Sequence, residues 1–269
     1  MGDKKDRVLS IIMPVYNQWE YTELAIKSIV KNTQIAFELI VIDNGSSDDT
    51  GENLKKITIE SKNWEVGVFR PIYKKENTGF PKAVNDGLRR AKGKYLCIIN
   101  NDVVVSKYCF ERMVDHLNNG LDLVGVCTNS VAGPQQKLVK VYDGIEGFEK
   151  RAEEFYLENK GQFSLYHIII FFCVMIKKEV FDKIGILDEV YTPGNYEDDD
   201  FCLRAIESGF KCGVAKDIFV HHFRSVTMQE KEFEYEKLLK RNRKIFVGKW
   251  GPKIKDLAEK NGGNYSVNY

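Results

Sequence analysis

KGKYLCIINNDVVV, residues Lys92–Val105, runs an apolar segment directly into Asn100-Asn101-Asp102. A short apolar run of this kind reads as a strand buried on both faces of a mostly parallel sheet. A carboxylate at the carboxyl end of such a strand lies at the edge where open α/β sheets place their ligands. Once withdrawn from water it needs a cation, a hydrogen-bond donor or an ordered water. Taken alone, the tripeptide is first of all a turn whose Asp caps the next helix. The rest of the chain changes that balance.

Working outward, Val8–Met13 reads as a first strand ended by Pro14, and Gln18–Lys31 as a helix. Phe37–Ile42 is a second buried strand that stops at DNGSSDDT, residues Asp43–Thr50, a cluster of turn and N-cap formers. A helix to about Ile59, a strand over Val66–Tyr73, a helix over Phe80–Ala91 and the strand Tyr95–Ile99 follow. Then come a helix over Lys107–Leu117 and a strand over Leu123–Cys127. Strands alternating with helices at this spacing predict a right-handed, doubly wound parallel sheet. Beyond Thr128 the order changes: a helix over Phe148–Glu158, strand character over Phe163–Ile176, helices over Lys178–Ile184 and Phe201–Ser208, and a strand over Cys212–His221. A long charged helix is expected over Gln229–Val247, then a loose tail. The expected division is a nucleotide-binding half, 1–128, an acceptor-binding and catalytic-base half of the same domain, 129–225, and a C-terminal helical extension, 226–269.

The 269 residues, 43% hydrophobic and 29% charged, suit one large α/β domain with an ordinary core. A formal net charge of +1 makes no electrostatic case for nucleic acid. The six cysteines are scattered with no CxxC pair, so buried free thiols in a reducing compartment are expected rather than a zinc cage. No signal peptide is legible, and the longest apolar run, Ile168–Ile176, is too short to span a bilayer. The expectation is a cytoplasmic protein.

Four strand ends carry polar residues that a parallel sheet brings to one edge: Pro14, Tyr16 and Asn17; Asp43; Asn77 and Gly79; Asn100-Asn101-Asp102. Asp43 could accept from a base imide or a ribose hydroxyl. Asn77 and Gly79 would let backbone approach a phosphate near a helix N-terminus. Each is also an ordinary turn or cap residue, and their joint order is what carries weight. Downstream, Glu197-Asp198-Asp199-Asp200 is more acidic than a helix cap requires, and crowded carboxylates raise one another's pKa, which suits a general base. His221-His222 ends an apolar strand and offers a nitrogen ligand beside a metal-binding Asp.

Taken together, IIMPVYNQ (Ile11–Gln18), IVIDNGSSDDT (Ile40–Thr50), ENTGFPKAVNDGL (Glu76–Leu88), CIINNDVVV (Cys97–Val105), GILDEVY (Gly185–Tyr191) and EDDDFCLRAIESGF (Glu197–Phe210) resemble the family 2 glycosyltransferases. They occur in family order across Val8–Ser225. The resemblance implies the GT-A fold: a Rossmann-like, mostly parallel central sheet flanked by helices. The NND tripeptide resembles the rhamnosyltransferase-like variant of the DxD motif, which implies Asp102 as metal ligand and a ribose contact for Asn101. The same resemblance implies Asp198 as catalytic base, Glu197 and Asp199 on the acceptor side, and Asp43 at the nucleobase. It also implies a histidine at the strand end, with His221 favoured and His222 the alternative. Lys82 departs from the small residue common in relatives; it either pairs with phosphate or is a solvated helix residue.

The implied activity is metal-dependent, inverting transfer of a hexose from a UDP- or dTDP-linked donor to a hydroxyl of a glycan, glycolipid or glycoprotein. Hard oxygen ligands favour Mg²⁺ and a nitrogen ligand tilts the choice to Mn²⁺. The basic residues Lys237, Lys240, Arg241, Arg243, Lys244, Lys249, Lys253 and Lys255 are either a solvated face or a peripheral contact with an anionic membrane surface. Acceptor recognition is expected in Asn129–Tyr166 and after Ser225. A sugar-nucleotide nucleotidyltransferase is the alternative enzyme, but MPVYNQ lacks the Gly-rich phosphate loop it needs. A nicotinamide dehydrogenase is disfavoured because no GxGxxG follows the first strand. A non-catalytic sugar- or nucleotide-binding module would have no need of Asp198 beside a metal site.

Overall fold

The computed structural model describes residues 8–137, 142–223 and 232–262. One sheet organises them, in the strand order β3-β2-β1-β4-β8-β6-β9-β5, with β7 paired to β9. The first half is all parallel: β1 (Leu9–Val15), β2 (Phe37–Asp43), β3 (Gly67–Tyr73) and β4 (Tyr95–Ile99). They alternate with α1 (Trp19–Asn32), α2 (Thr50–Glu60) and α3 (Phe80–Leu88). β2 is buried along its whole length. Ile40 and Ile42 pack on one side of the sheet with Ala83, Val84 and Leu88 of α3. Leu39 and Val41 pack on the other with Ala25, Ile26 and Ile29 of α1 and Leu54 of α2. Coverage on both faces is why these strands are continuous apolar runs and not alternating ones.

The second half is mixed. After β5 (Val103–Val104) and α4 (Cys109–Asn118) come β6 (Leu123–Thr128), α5 (Gly144–Asn159), β7 (Phe163–Leu165), β8 (Cys173–Lys177), α6 (Lys178–Ile184), α7 (Glu197–Glu207) and β9 (Cys212–His222). β8 lies antiparallel between β4 and β6, while β9 runs parallel to β6. The sheet is therefore mostly parallel, as expected, and the doubly wound pattern is interrupted at its centre by the reversed β8. An apolar strand reads identically in either direction, so composition alone cannot reveal the reversal.

Three boundaries differ from the sequence reading for physical reasons. β1 does not end at Pro14; it continues to Val15, with Pro14 in register with Ile42. The Val15 carbonyl accepts from Asn44 N on the β2 side, so alternation turns the Pro14 nitrogen towards β4, where pairing has already stopped at Ile12. The missing N–H costs no ladder bond there. The Phe163–Ile176 stretch splits into β7 and β8 around an irregular segment. α7 begins at Glu197, not at Phe201, so the acidic residues form its first turn instead of preceding it.

α8 (Glu232–Trp250) is followed by a short helix the sequence reading had taken for loose tail, α9 (Ile254–Lys260). The expected start of α8 at Gln229 and the chain beyond 262 lie outside the described residues. Phe246, Trp250, Ile254 and Leu257 join the core on the α3 side of the sheet. All six cysteines are buried and free. Among the described residues no helix is long and apolar enough to cross a membrane.

Candidate active site

The carboxyl ends of β1, β2 and β3 open into three turns that bond to one another. Asp43, nearly buried, accepts from Ser46 N at 2.9 Å and folds the turn after β2. Asn44 is the hub. Its Nδ2 donates to Asn77 Oδ1 at 2.9 Å, and its Oδ1 accepts from Thr78 N at 3.1 Å and Thr78 Oγ1 at 3.0 Å. Asn77 Oδ1 also accepts from Gly79 N at 2.9 Å. Asn17, left-handed at φ 57°, donates its N–H to Ser46 Oγ and accepts from Ser47 N, both at 2.8 Å. Gly79 has φ +83°, and a Cβ there would stand 2.7 Å from Pro193 Cα, so only glycine fits this contact. The sequence reading named Asn17, Asp43, Asn77 and Gly79 but passed over Asn44; its place inside the polar DNGS turn was the available signal.

Pro14 and Tyr16 are half-buried beside this lattice. Lys82 sits on the exposed side of α3, where its charge helps hold Glu189 below its ordinary carboxylate range, after the hydrogen bond from Asn85 and the one from Arg89. Asn101 Nδ2 donates to Thr22 Oγ1 of α1 at 2.9 Å.

Asp102 is 5% exposed and lies beside the last residue of β9. Strand β5 pairs with β9 in the register Val103↔His222 and Val104↔His221. That register puts His222 Nε2 3.2 Å from Asp102 Oδ1. His222 Nδ1 lies 2.9 Å from the Ser130 carbonyl, which can only accept, so a ring proton belongs on Nδ1. At Nε2 the ring meets the carboxylate oxygen either as the donor of an ion pair or as a lone pair that can share a cation with it. A divalent metal fits this N,O pair, with the Ser130 carbonyl orienting the imidazole. His221, the histidine favoured from sequence, points to the other face of β9, where its Nδ1 meets the Tyr142 hydroxyl and its ring packs edge-on to Phe223. Burial lowers its pKa. Alternation along the strand separates the two histidines, and the alternative, His222, is the one brought to Asp102. Among the described residues no group of three or more His, Cys, Asp or Glu side chains converges as a metal cage.

Asp198 approaches the same edge from α7. Its Oδ2 accepts from Phe171 N at 3.3 Å and its Oδ1 from Asp199 N at 3.0 Å. The next residue, Phe172, stacks on His222 with ring centroids 5.3 Å apart and gives its carbonyl to Asn100 N at 2.8 Å. One dipeptide, Phe171-Phe172, therefore touches both the Asp198 carboxylate and the Asp102–His222 pair. Burial pushes the Asp198 carboxyl up, opposed by the Asp199 and Phe171 amides. Burial, then the Asp198 charge, pushes Glu197 and Asp199 well above the ordinary range. Glu197 is buried, and its Oε2 has no hydrogen-bond partner among the described residues. Asp200 is different: it receives Arg204 Nε at 2.8 Å, Trp250 Nε1 at 2.8 Å and Lys249 Nζ at 2.7 Å. It is a structural anchor.

Residues 10–185 match the family model "Glycosyl transferase family 2", and the chain belongs to that family. It is 30% identical over 194 residues to the uncharacterized glycosyltransferase RP339 of Rickettsia prowazekii, an alignment covering 68% of this chain and 54% of that protein. The chain thus spans about half the length of the curated relatives it matches first. In fold it is similar to the mannosyltransferase PcManGT from Pyrobaculum calidifontis in complex with GDP-Man and Mn²⁺ (TM-score 0.65, 16% identity, 94% of this chain and 68% of the other). It is also similar to S. aureus TarS 1–349 in complex with UDP-GlcNAc (TM-score 0.63, 14% identity, 94% and 70%). The fold is that of the GT-A glycosyltransferases.

Proposed function

We propose that this glycosyltransferase moves a hexose from a UDP- or dTDP-linked donor to a hydroxyl of a glycan, glycolipid or glycoprotein, with inversion at the anomeric carbon. The observation that carries the reading is the Phe171-Phe172 bridge, whose two consecutive residues contact an acid of raised pKa, Asp198, and the imidazole of the Asp102–His222 pair. The hydrogen-bonded turns of Asn17, Asp43, Asn44, Asn77 and Gly79 would receive the nucleotide, with the Asp43 carboxylate towards the base. The start of α3 would offer its N–H groups to phosphate. Asp102 and His222 would hold Mn²⁺ or Mg²⁺, which when bound supplies positive charge against the departing diphosphate.

Asp198 takes the proton from the acceptor hydroxyl as that oxygen attacks the sugar carbon opposite the diphosphate. A positioned base of this kind is worth about 10²–10⁴-fold. The two amides on Asp198 aim its carboxylate, and Glu197 and Asp199 lie beside it where an acceptor's hydroxyls would bind. Some of the basic residues in and just after α8, weighed for peripheral membrane contact, are engaged within the domain. Arg241 bonds the Val190 and Thr192 carbonyls, Lys249 bonds Asp200 and Lys253 bonds Glu207, so these cations already hold the domain together.

The test is a screen of UDP-, dTDP- and GDP-sugars for nucleoside diphosphate release, with Mn²⁺, with Mg²⁺ and with chelator, on wild type and Asp102→Ala. Metal-dependent release from one donor class, lost in the variant, is expected. Release that survives chelation and the substitution would remove Asp102 from the site.

A further inference from the structure

The backbone that leads into the first turn of α7 is under strain, and it is α8 that holds it. Asn195 and Tyr196 both have left-handed backbones, φ 74° and 75°. Such a conformation costs a non-glycine residue about 1–3 kcal/mol and persists only where surrounding structure imposes it. No side chain caps the helix at Tyr196. One face of α8 instead runs alongside. Asn242, fully buried, donates its amide to the carbonyls of Tyr191 at 2.7 Å, Gly194 at 2.9 Å and Asn195 at 3.2 Å. One turn on, Phe246 packs its ring 5.3 Å from that of Tyr196. A further turn on, Trp250 and Lys249 bond Asp200. Residues 242, 246 and 249–250 are spaced to share a helix face, and they grip the chain at 191–195, 196 and 200. Asp198 lies between the last two grips.

The same segment also reaches the nucleotide side, because the Pro193 carbonyl accepts from Phe80 N at 2.8 Å, at the start of α3. That contact is a single bond, whereas the turns of Asn17, Asn44 and Asn77 are tied to one another independently of α8.

We propose that α8 is a positioning element for the catalytic base: Asn242, Phe246 and the Lys249-Trp250 pair lock the strained turn that aims the Asp198 carboxylate, so the C-terminal helix belongs to the catalytic machinery. The part of this concerning catalysis rests on the function proposed above; the part concerning the lock does not.

The test uses the full chain with Asn242→Ala and, as a second variant that keeps the core ring, Lys249→Met/Trp250→Phe. Hydrogen exchange of the backbone amides is followed alongside kinetics. Asn242→Ala should speed exchange in 194–200 while leaving β1, β2 and the Asn44 turn unchanged. Its kcat should fall about tenfold or more, a loss within the range of a mispositioned base, with donor KM and UDP affinity changed less than about threefold. The second variant should shift both readouts the same way to a smaller extent, and it decides the matter if Asn242→Ala does not fold. A helix that only stabilised the fold would lower the melting temperature and leave kcat per folded molecule intact, which would overturn the proposal. Unchanged exchange at 194–200 would overturn it as well, whatever the activity. Faster exchange in a chain whose wild type releases nothing from any nucleotide sugar would leave the lock standing and sink the activity reading instead.

Discussion

The turns after β1, β2 and β3 and the first turn of α7 face one edge of the sheet, yet they treat polar groups in opposite ways. In the turns, the side chains of Asn17, Asp43, Asn44, Ser46, Asn77 and Thr78 all have hydrogen-bond partners within the lattice. In α7, Glu197, Asp198 and Asp199 crowd together with pKa values raised by burial, and Glu197 Oε2 finds no partner among the described residues. A lattice of satisfied amides makes a preformed surface whose shape does not depend on what binds. A crowded set of carboxylates makes a reactive one, because each raised pKa brings a proton acceptor nearer to the range where it can work. The contrast teaches that one edge can hold a rigid receptor and a poised base if separate elements build them, here the parallel turns and a helix clamped by α8.

The largest expected effect breaks the reactive side. Asp198→Asn should lower kcat by about 10²–10⁴-fold while UDP affinity by calorimetry stays as in wild type, because the amide keeps the shape but cannot take the proton. Wild-type turnover in that variant would strip Asp198 of its role. The raised pKa also sets a sign: kcat should rise with pH along an acid limb lying above the ordinary Asp range of about 3.9, as Asp198 deprotonates.

The next effect breaks the receptor. Asn44→Ala leaves the Thr78 amide without its side-chain partner and takes one of two donors from Asn77 Oδ1, which keeps the Gly79 amide. A loss of about 1–2 kcal/mol in denaturant unfolding is expected, the net worth of one or two hydrogen bonds whose partners can reach water, together with weakened donor binding. A stability change near zero would mean that water replaces the hub and that the lattice is not what shapes this surface.

The smallest effect sharpens the contrast by its sign. A carboxylate whose folded pKa is raised leaves the folded state holding more protons than the unfolded one once pH exceeds the ordinary Glu value of about 4.3. Stability therefore falls as pH rises from there through the folded pKa. Glu197→Gln removes that penalty, and should stabilise the protein by about 1 kcal/mol at neutral pH. The gain should vanish below the unfolded pKa, where both states are protonated. Destabilisation at neutral pH would show that the Glu197 charge is matched by a partner after all.

Most of the architecture was legible in sequence because buried strands demand contiguous apolar residues and turns demand Asp, Asn and Gly, both local requirements. β2, β4 and α6 lie where Phe37–Ile42, Tyr95–Ile99 and Lys178–Ile184 placed them, to within a residue. Family membership came from the order of short motifs, each of which is equally a common turn or cap on its own. The internal hub Asn44 was less legible, since an Asn in a turn gives no sign of which distant turn its amide will reach. α9 was missed because its seven residues are too few for periodicity to speak.

What the amino-acid sequence determined by itself is the set of elements and the residue types at their ends: hydrophobic burial and backbone turn preferences act over a few neighbours, and they leave a readable pattern. What only the tertiary structure decided is which of those residues meet. His221 and His222 are indistinguishable as sequence, and the choice between them follows from the register of β5 on β9. The reversal of β8 and the grip of Asn242 on the turn before Asp198 are of the same kind. Each depends on pairing between segments distant in the chain, and no local preference encodes the direction or the register of such a pairing.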